Sequence, residues 1–145
     1  MARMQRRQLL TALAGIVSAV GLSPRSSMAS TSAHHQKFGD AAQKMLDQAV
    51  AAGDQPFGAV VVKDGKIIGY GPSRVATDHD ATAHAEMTAI RAASKALGSG
   101  DLSGCMLYST SPPCAMCGTA AYWAGIDQVF SGRPLRDLGP PRYGC

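Results

Sequence analysis

Residues 56–71 read PFGAVVVKDGKIIGYG. Two apolar, β-branched runs, Phe57 to Val62 and Lys66 to Tyr70, flank the dipeptide Asp64-Gly65. An Asp-Gly pair supplies the positive φ angles that a two-residue hairpin turn requires. The stretch therefore predicts an antiparallel hairpin. Upstream, residues 39–54 (GDAAQKMLDQAVAAGD) predict an amphipathic helix. Asp40 is its expected cap, Met45, Leu46, Ala49 and Val50 its apolar face, and Gly53 its stop. The preceding STSAHHQ is polar and reads as loose chain, with His34 and His35 solvated. Downstream, a polar loop over 72–81 leads to a helix starting near Thr82 and stopped by Gly98. CMLYS reads as a short buried strand, CAMCGTAAYWAG as a helix from Cys114 to Gly125, and DQVFSG as another strand. A hairpin followed by α-β-α-β predicts helices packed on a mixed sheet, an α/β domain.

The charge balance narrows the partners. Of 145 residues, 14 are Lys or Arg and 10 are Asp or Glu. Arg3, Arg6, Arg7 and Arg25 lie in the first 29 positions, where no acidic residue occurs. The remainder is balanced, which argues against a nucleic-acid partner. Those 29 residues read as a targeting segment: a basic start, a mild apolar run from Leu9 to Leu22, then small residues at Ser27 and Ala29. Arg6-Arg7 followed by Gln8, Leu9 and Leu10 resembles a twin-arginine export signal. The expected mature unit is residues 30–145, periplasmic or otherwise exported after cleavage near Ala29 by way of the twin-arginine machinery.

The chemistry sits at two predicted helix starts. ATAHAEM places His84 and Glu86 at one, and SPPCAMC places Cys114 and Cys117 at the other. Helix N-termini carry partial positive charge and free N–H groups, and they favour thiolates. Cysteines three apart share a helix face. With His84 they form two thiolates and one imidazole, a tetrahedral zinc set with an open fourth place, as in catalytic rather than structural sites. Glu86, two residues from His84, can overhang that place and shuttle a proton. Two other readings compete. A structural zinc site needs a fourth ligand, for which Cys105, Cys145 and His79 are the candidates; Cys105 reads as strand core, Cys145 as a mobile terminus and His79 as solvated. A Cys-x-x-Cys redox pair suits an exported protein but gives His84 and Glu86 no task.

The spacing His84-Ala85-Glu86 followed by Pro113-Cys114-Ala115-Met116-Cys117 resembles the signature of the zinc-dependent cytidine/deoxycytidylate deaminase superfamily. PFGAVVVKDGKIIGYG, ATAHAEMTAIRAA and CAMCGTAAYWAGI look most similar to bacterial guanine deaminases and tRNA adenosine deaminases. The resemblance implies a three-layer α/β/α sandwich on a five-stranded mixed sheet, a homodimer and a Zn2+ cofactor. It implies hydrolytic deamination of a nucleobase, nucleoside or similar amino-heterocycle, with ammonia released. Glu86 is then the catalytic proton shuttle, and His84, Cys114 and Cys117 are the metal ligands. Phe57 and the backbone at Ala85 would hold the base, and Trp123 would lie near the pocket or a dimer contact. Ser73 stands where such proteins carry an Asn that holds the substrate, and Ser111-Pro112-Pro113-Cys114 replaces Cys-Glu-Pro-Cys. PLRDLGPPRYGC does not read as the helix that the resemblance implies near the C-terminus.

Overall fold

The computed structural model describes residues 26–144. The elements run α1 (Ser26–Ala51), β1 (Gly58–Lys63), β2 (Lys66–Pro72), α2 (Ala85–Leu97), β3 (Cys105–Ser109), α3 (Ala115–Trp123), β4 (Gln128–Ser131) and β5 (Arg136–Gly139). The predicted hairpin forms, with β1 antiparallel to β2. Asp64 and Gly65 both take positive φ, 49° and 72°, the paired left-handed geometry that matches strand twist. The sheet order is β2-β1-β3-β4-β5. β3 and β4 are parallel and joined through α3, while every other neighbouring pair is antiparallel. The sheet is therefore mixed.

Strand alternation builds the layers. Ala59, Val61, Leu107 and Val129 face α2 and α3, and pack with Ala85, Ala89, Ile90, Ala93 and Ala121. Val60, Val62, Tyr108 and Phe130 face the other way and pack with Phe38 and Met45 of α1. One helix on one face and two on the other make the expected three-layer α/β/α sandwich. Among the described residues no helix is long and apolar enough to cross a membrane.

Three features differ from the expectation. First, α1 does not begin at Asp40 but runs through STSAHHQ from Ser26. The buried stripe is Phe38, Ala42, Met45 and Ala49, with Val50 53% exposed. The same spacing carried one turn back reaches His35, which is not solvated: its ring stacks on Phe130 at 4.4 Å and its Nδ1 lies 2.6 Å from the Tyr108 hydroxyl. Packing on the sheet, not capping, decides where this helix extends. Second, α2 starts at Ala85 with His84 as its N-cap, rather than near Thr82, and α3 starts one residue after its N-cap Cys114. Gly98 ends α2 as expected, in the left-handed conformation, with Ser99 N–H donating to the Ser94 carbonyl. Third, PLRDLGPPRYGC contributes a strand, β5, on the edge of the sheet beside β4. Its residues are mostly exposed, so it lacks the apolar alternation that would mark it in the sequence.

Two glycines set how close α2 approaches. Gly69 and Gly71 of β2 lie under it, and a Cβ on Gly71 would collide with the Ala85 carbonyl and come within 2.7 Å of the Ala89 Cβ. The bare backbone brings the first turn of α2, and hence His84, down onto the sheet.

Candidate metal centre and active site

His84 and Cys114 cap their helices with extended backbone, and neither side chain is spent on a capping hydrogen bond. Both are free to point at a common centre. His84 Nδ1, Cys114 Sγ and Cys117 Sγ stand 3.6 Å from one another in all three pairs. Tetrahedral bonds of about 2.3 Å to sulfur and 2.0–2.1 Å to nitrogen separate two sulfurs by about 3.8 Å, and sulfur from nitrogen by about 3.6 Å. The donor triangle thus has the size that zinc requires. Among the described residues this is the one group of three or more His, Cys, Asp or Glu side chains placed to hold a metal. Cys105 is fully buried in β3, and His79 is exposed in the loop before α2. Neither supplies a fourth ligand, and Cys145 lies outside the described residues. Three ligands leave a tetrahedral ion open to solvent or substrate.

Glu86, in the first turn of α2, is 5% exposed. Burial pushes its carboxyl above the usual range; a backbone hydrogen bond, a hydrogen bond with Cys117 and the nearby His84 work against the rise. Burial, followed by the Glu86 charge and then Cys114, pushes the Cys117 thiol up as well. A bound divalent cation would reverse that cost by pairing with the thiolate.

A cavity of about 150 Å³ opens over this centre, lined by Phe57, His84, Ala85, Glu86, Ser111, Pro112 and Cys114. Of the residues expected to hold substrate, Phe57 and Ala85 line this cavity. Ser73 does not line this cavity. It is 2% exposed, and its hydroxyl donates to Asp54 at 2.9 Å. Trp123 does not line it either; it is 72% exposed and meets Tyr122 and Tyr143 edge-on. A larger cavity of about 320 Å³ adjoins at Pro112, between the start of α3 and residues 138–142. It contains neither the ligands nor Glu86, so the smaller cavity is the one with chemistry.

Residues outside the motifs fasten the site. Thr110 Oγ1 accepts the Gly58 N–H at 3.1 Å, joining the wall at Phe57 to the segment before the cysteines. Ser109 Oγ donates to the Ser111 carbonyl at 2.6 Å and sets the turn into Pro112. Ser111 and Pro112, read as departures from a pattern, prove to be cavity walls. The run Ser-Thr-Ser between a strand and a helix start was the available signal.

Fold and site together define an α/β/α protein with three donor side chains placed to hold a zinc ion. The chain belongs to the cytidine and deoxycytidylate deaminase family: the model of its zinc-binding region matches residues 32–133. Guanine deaminase from Bacillus subtilis is 49% identical over 98 residues, which cover 67% of this chain and 63% of that protein. Its crystal structure superimposes with a TM-score of 0.66 at 48% identity, covering 68% of this chain and 63% of that one. The tRNA-specific adenosine deaminase of Agrobacterium fabrum is 42% identical over 90 residues, 60% of this chain and 59% of that protein. The chain thus spans about three fifths of the length of these curated relatives.

Proposed function

We propose that this protein removes the amino group from a free purine base or a similar amino-heterocycle by hydrolysis, releasing ammonia. The observation that carries the reading is the desolvated Glu86 carboxyl beside a three-ligand centre of zinc dimensions. Zinc, when bound, supplies a Lewis acid and a water that ionises near neutral pH. His84, Cys114 and Cys117 hold the ion. Glu86 takes a proton from the attacking water, whose oxygen bonds to the ring carbon bearing the amino group, and delivers it to the exocyclic nitrogen. The bond from that carbon to the exocyclic nitrogen then breaks, and the nitrogen leaves as ammonia. Its raised affinity for protons suits both halves of that task. The Phe57 ring and Pro112 offer flat apolar walls to a planar ring. A cavity of about 150 Å³ is small beside the 300–1,000 Å³ of ordinary ligand pockets, and favours a base over a bulkier nucleotide. Similarity to a guanine deaminase points to guanine first.

The test is an ammonia-release screen of the purified protein against guanine, adenine, cytosine, their nucleosides and triazine-type amines. Glu86→Gln should keep its zinc and lose activity by about 10²–10⁴-fold, the usual worth of a positioned proton shuttle. Full activity in that variant removes Glu86 from the mechanism. The second reading is deamination of adenosine in tRNA, favoured by the Agrobacterium relative and opposed by the balanced charge of residues 30–145. An anticodon stem-loop in the same screen separates the two. Export rests on the leader, of which residues 1–25 lie outside the described residues while Ser26–Ala29 open α1. N-terminal sequencing of periplasmic protein tests it. A homodimer is proposed through the exposed aromatic group at the end of α3, and sedimentation of Trp123→Ala tests that surface.

A further inference from the structure

Asp54 stands where a carboxylate is electrostatically unwelcome. Its N–H caps the end of α1 by donating to the Ala49 carbonyl at 2.9 Å, and a helix C-terminus repels negative charge. The side chain is nevertheless 9% exposed and saturated with donors. One oxygen accepts the Gln55 N–H at 2.8 Å and the Ser73 hydroxyl at 2.9 Å. The other accepts the Ala76 N–H at 3.0 Å, the Thr77 N–H at 2.8 Å and the Thr77 hydroxyl at 3.0 Å. Four of these five donors come from the segment between β2 and α2. Hydrogen bonds to a charged acceptor are about twice as strong as neutral ones, so these four bonds tie the segment firmly to Asp54.

The segment leads straight to the metal centre. Ser73 N–H donates to the Phe57 carbonyl at 3.0 Å, holding one cavity wall. Arg74 N–H donates to the carbonyl of Ala83, the residue before His84, also at 3.0 Å. On its outer side the segment is clipped by the Arg74–Asp78 ion pair at 2.7 Å, which is exposed and screened. Asp54 is therefore its one charged anchor to the α1–β1 connection.

We propose that Asp54 is a positioning residue of this active site: its carboxylate fixes the 73–77 segment, and through it the placement of Phe57 and of the His84 ligand arm. Only the kinetic arm of the test rests on the deaminase reading; the metal arm does not. Zinc-loaded full-length protein is challenged with a chromogenic chelator, and the rate of zinc transfer is measured for wild type, Asp54→Asn, the double variant Ser73→Ala/Thr77→Val, and Val62→Ala. The last is a core change on the α1 face of β1, remote from the segment, that lowers stability without touching it. Asp54→Asn should release zinc at least about tenfold faster and raise KM more than it lowers kcat. The double variant keeps the charge but removes both hydroxyl donors, and should release zinc severalfold faster; it decides the matter should Asp54→Asn fail to fold. Val62→Ala should stay within about twofold of wild type at a comparable loss of Tm. Zinc release from the Asp54 and double variants within twofold of wild type overturns the proposal. So does a Val62→Ala protein that loses zinc as fast as Asp54→Asn, since stability alone would then account for the effect. Absence of turnover on every heterocycle would reject the proposed reaction while the zinc-release rates still decide the role of Asp54.

Discussion

Gly71→Ala is the smallest change that should disturb the metal centre from a distance. The added methyl would meet the Ala89 nitrogen at 2.5 Å and the Ala89 Cβ at 2.7 Å, besides colliding with the Ala85 carbonyl. Comfortable contact begins near 3.5 Å, so strand and helix must separate by about 1 Å. Backbone atoms of a helix cannot swing aside as a side chain can. Overpacking of this kind costs about 1–3 kcal/mol, or roughly 3–6 °C of Tm per kcal/mol in a domain of this size. His84 is the N-cap of the displaced helix, and zinc sites tolerate ligand errors of only about 0.2 Å. Zinc affinity should therefore fall at least tenfold, beyond what the loss of stability predicts. The assay is a thermal melt paired with chelator competition, with Gly100→Ala as control. Gly100 has open space around it and no positive φ, so alanine there should leave both readouts nearly unchanged. A Gly71→Ala protein with unaltered Tm and zinc affinity within twofold of wild type would refute the close-approach explanation.

Other expectations concern individual groups. His84→Ala removes one of three ligands and should abolish stoichiometric zinc, read by metal analysis after gel filtration; one zinc per chain in that variant would break the ligand assignment. Cys105→Ser should keep full zinc content while lowering Tm, because Cys105 is fully buried strand core and a hydroxyl there needs a partner; loss of metal would instead make Cys105 a ligand. The acid limb of stability should carry the signature of Asp54. Burial works to raise this carboxyl, but the hydrogen bonds from Thr77, Gln55 and Ser73 prevail and hold it well below the usual carboxylate range. A group depressed in the folded state stabilises fully above its unfolded value, about 3.9, and loses that contribution as pH falls through the folded value. The Tm difference between wild type and Asp54→Asn should thus be widest above about pH 5 and shrink towards pH 2; a difference independent of pH would contradict it.

The elements that were legible have strong local causes. The hairpin announces itself through Asp64-Gly65 between β-branched runs, and α2 through the stop at Gly98. The ligand set could be read because His-x-Glu and Cys-x-x-Cys spacings each make sense at a helix start. The start of α1 is not legible because its first turns are polar, and only the aromatic rings of Tyr108 and Phe130 explain why His35 belongs to the packed helix. β5 is not legible because an exposed edge strand needs only backbone pairing, which leaves no pattern in side chains. Ser73 was expected at substrate from its place in a motif, but Asp54 claims its hydroxyl, and a partner 19 residues away cannot be read from spacing.

The sequence by itself determined an α/β domain with helices on a mixed sheet, the three candidate zinc donors and the acid beside them, because periodicity, turn chemistry and ligand spacing act over a few residues. The three-layer arrangement was implied only by resemblance. Tertiary structure alone decided that the donors converge to 3.6 Å, that two glycines let α2 descend far enough for this to happen, and that Asp54 holds the intervening segment. Those are distances between elements remote in the chain. They are set by how backbones pack and which buried charges find donors, and no local pattern encodes them.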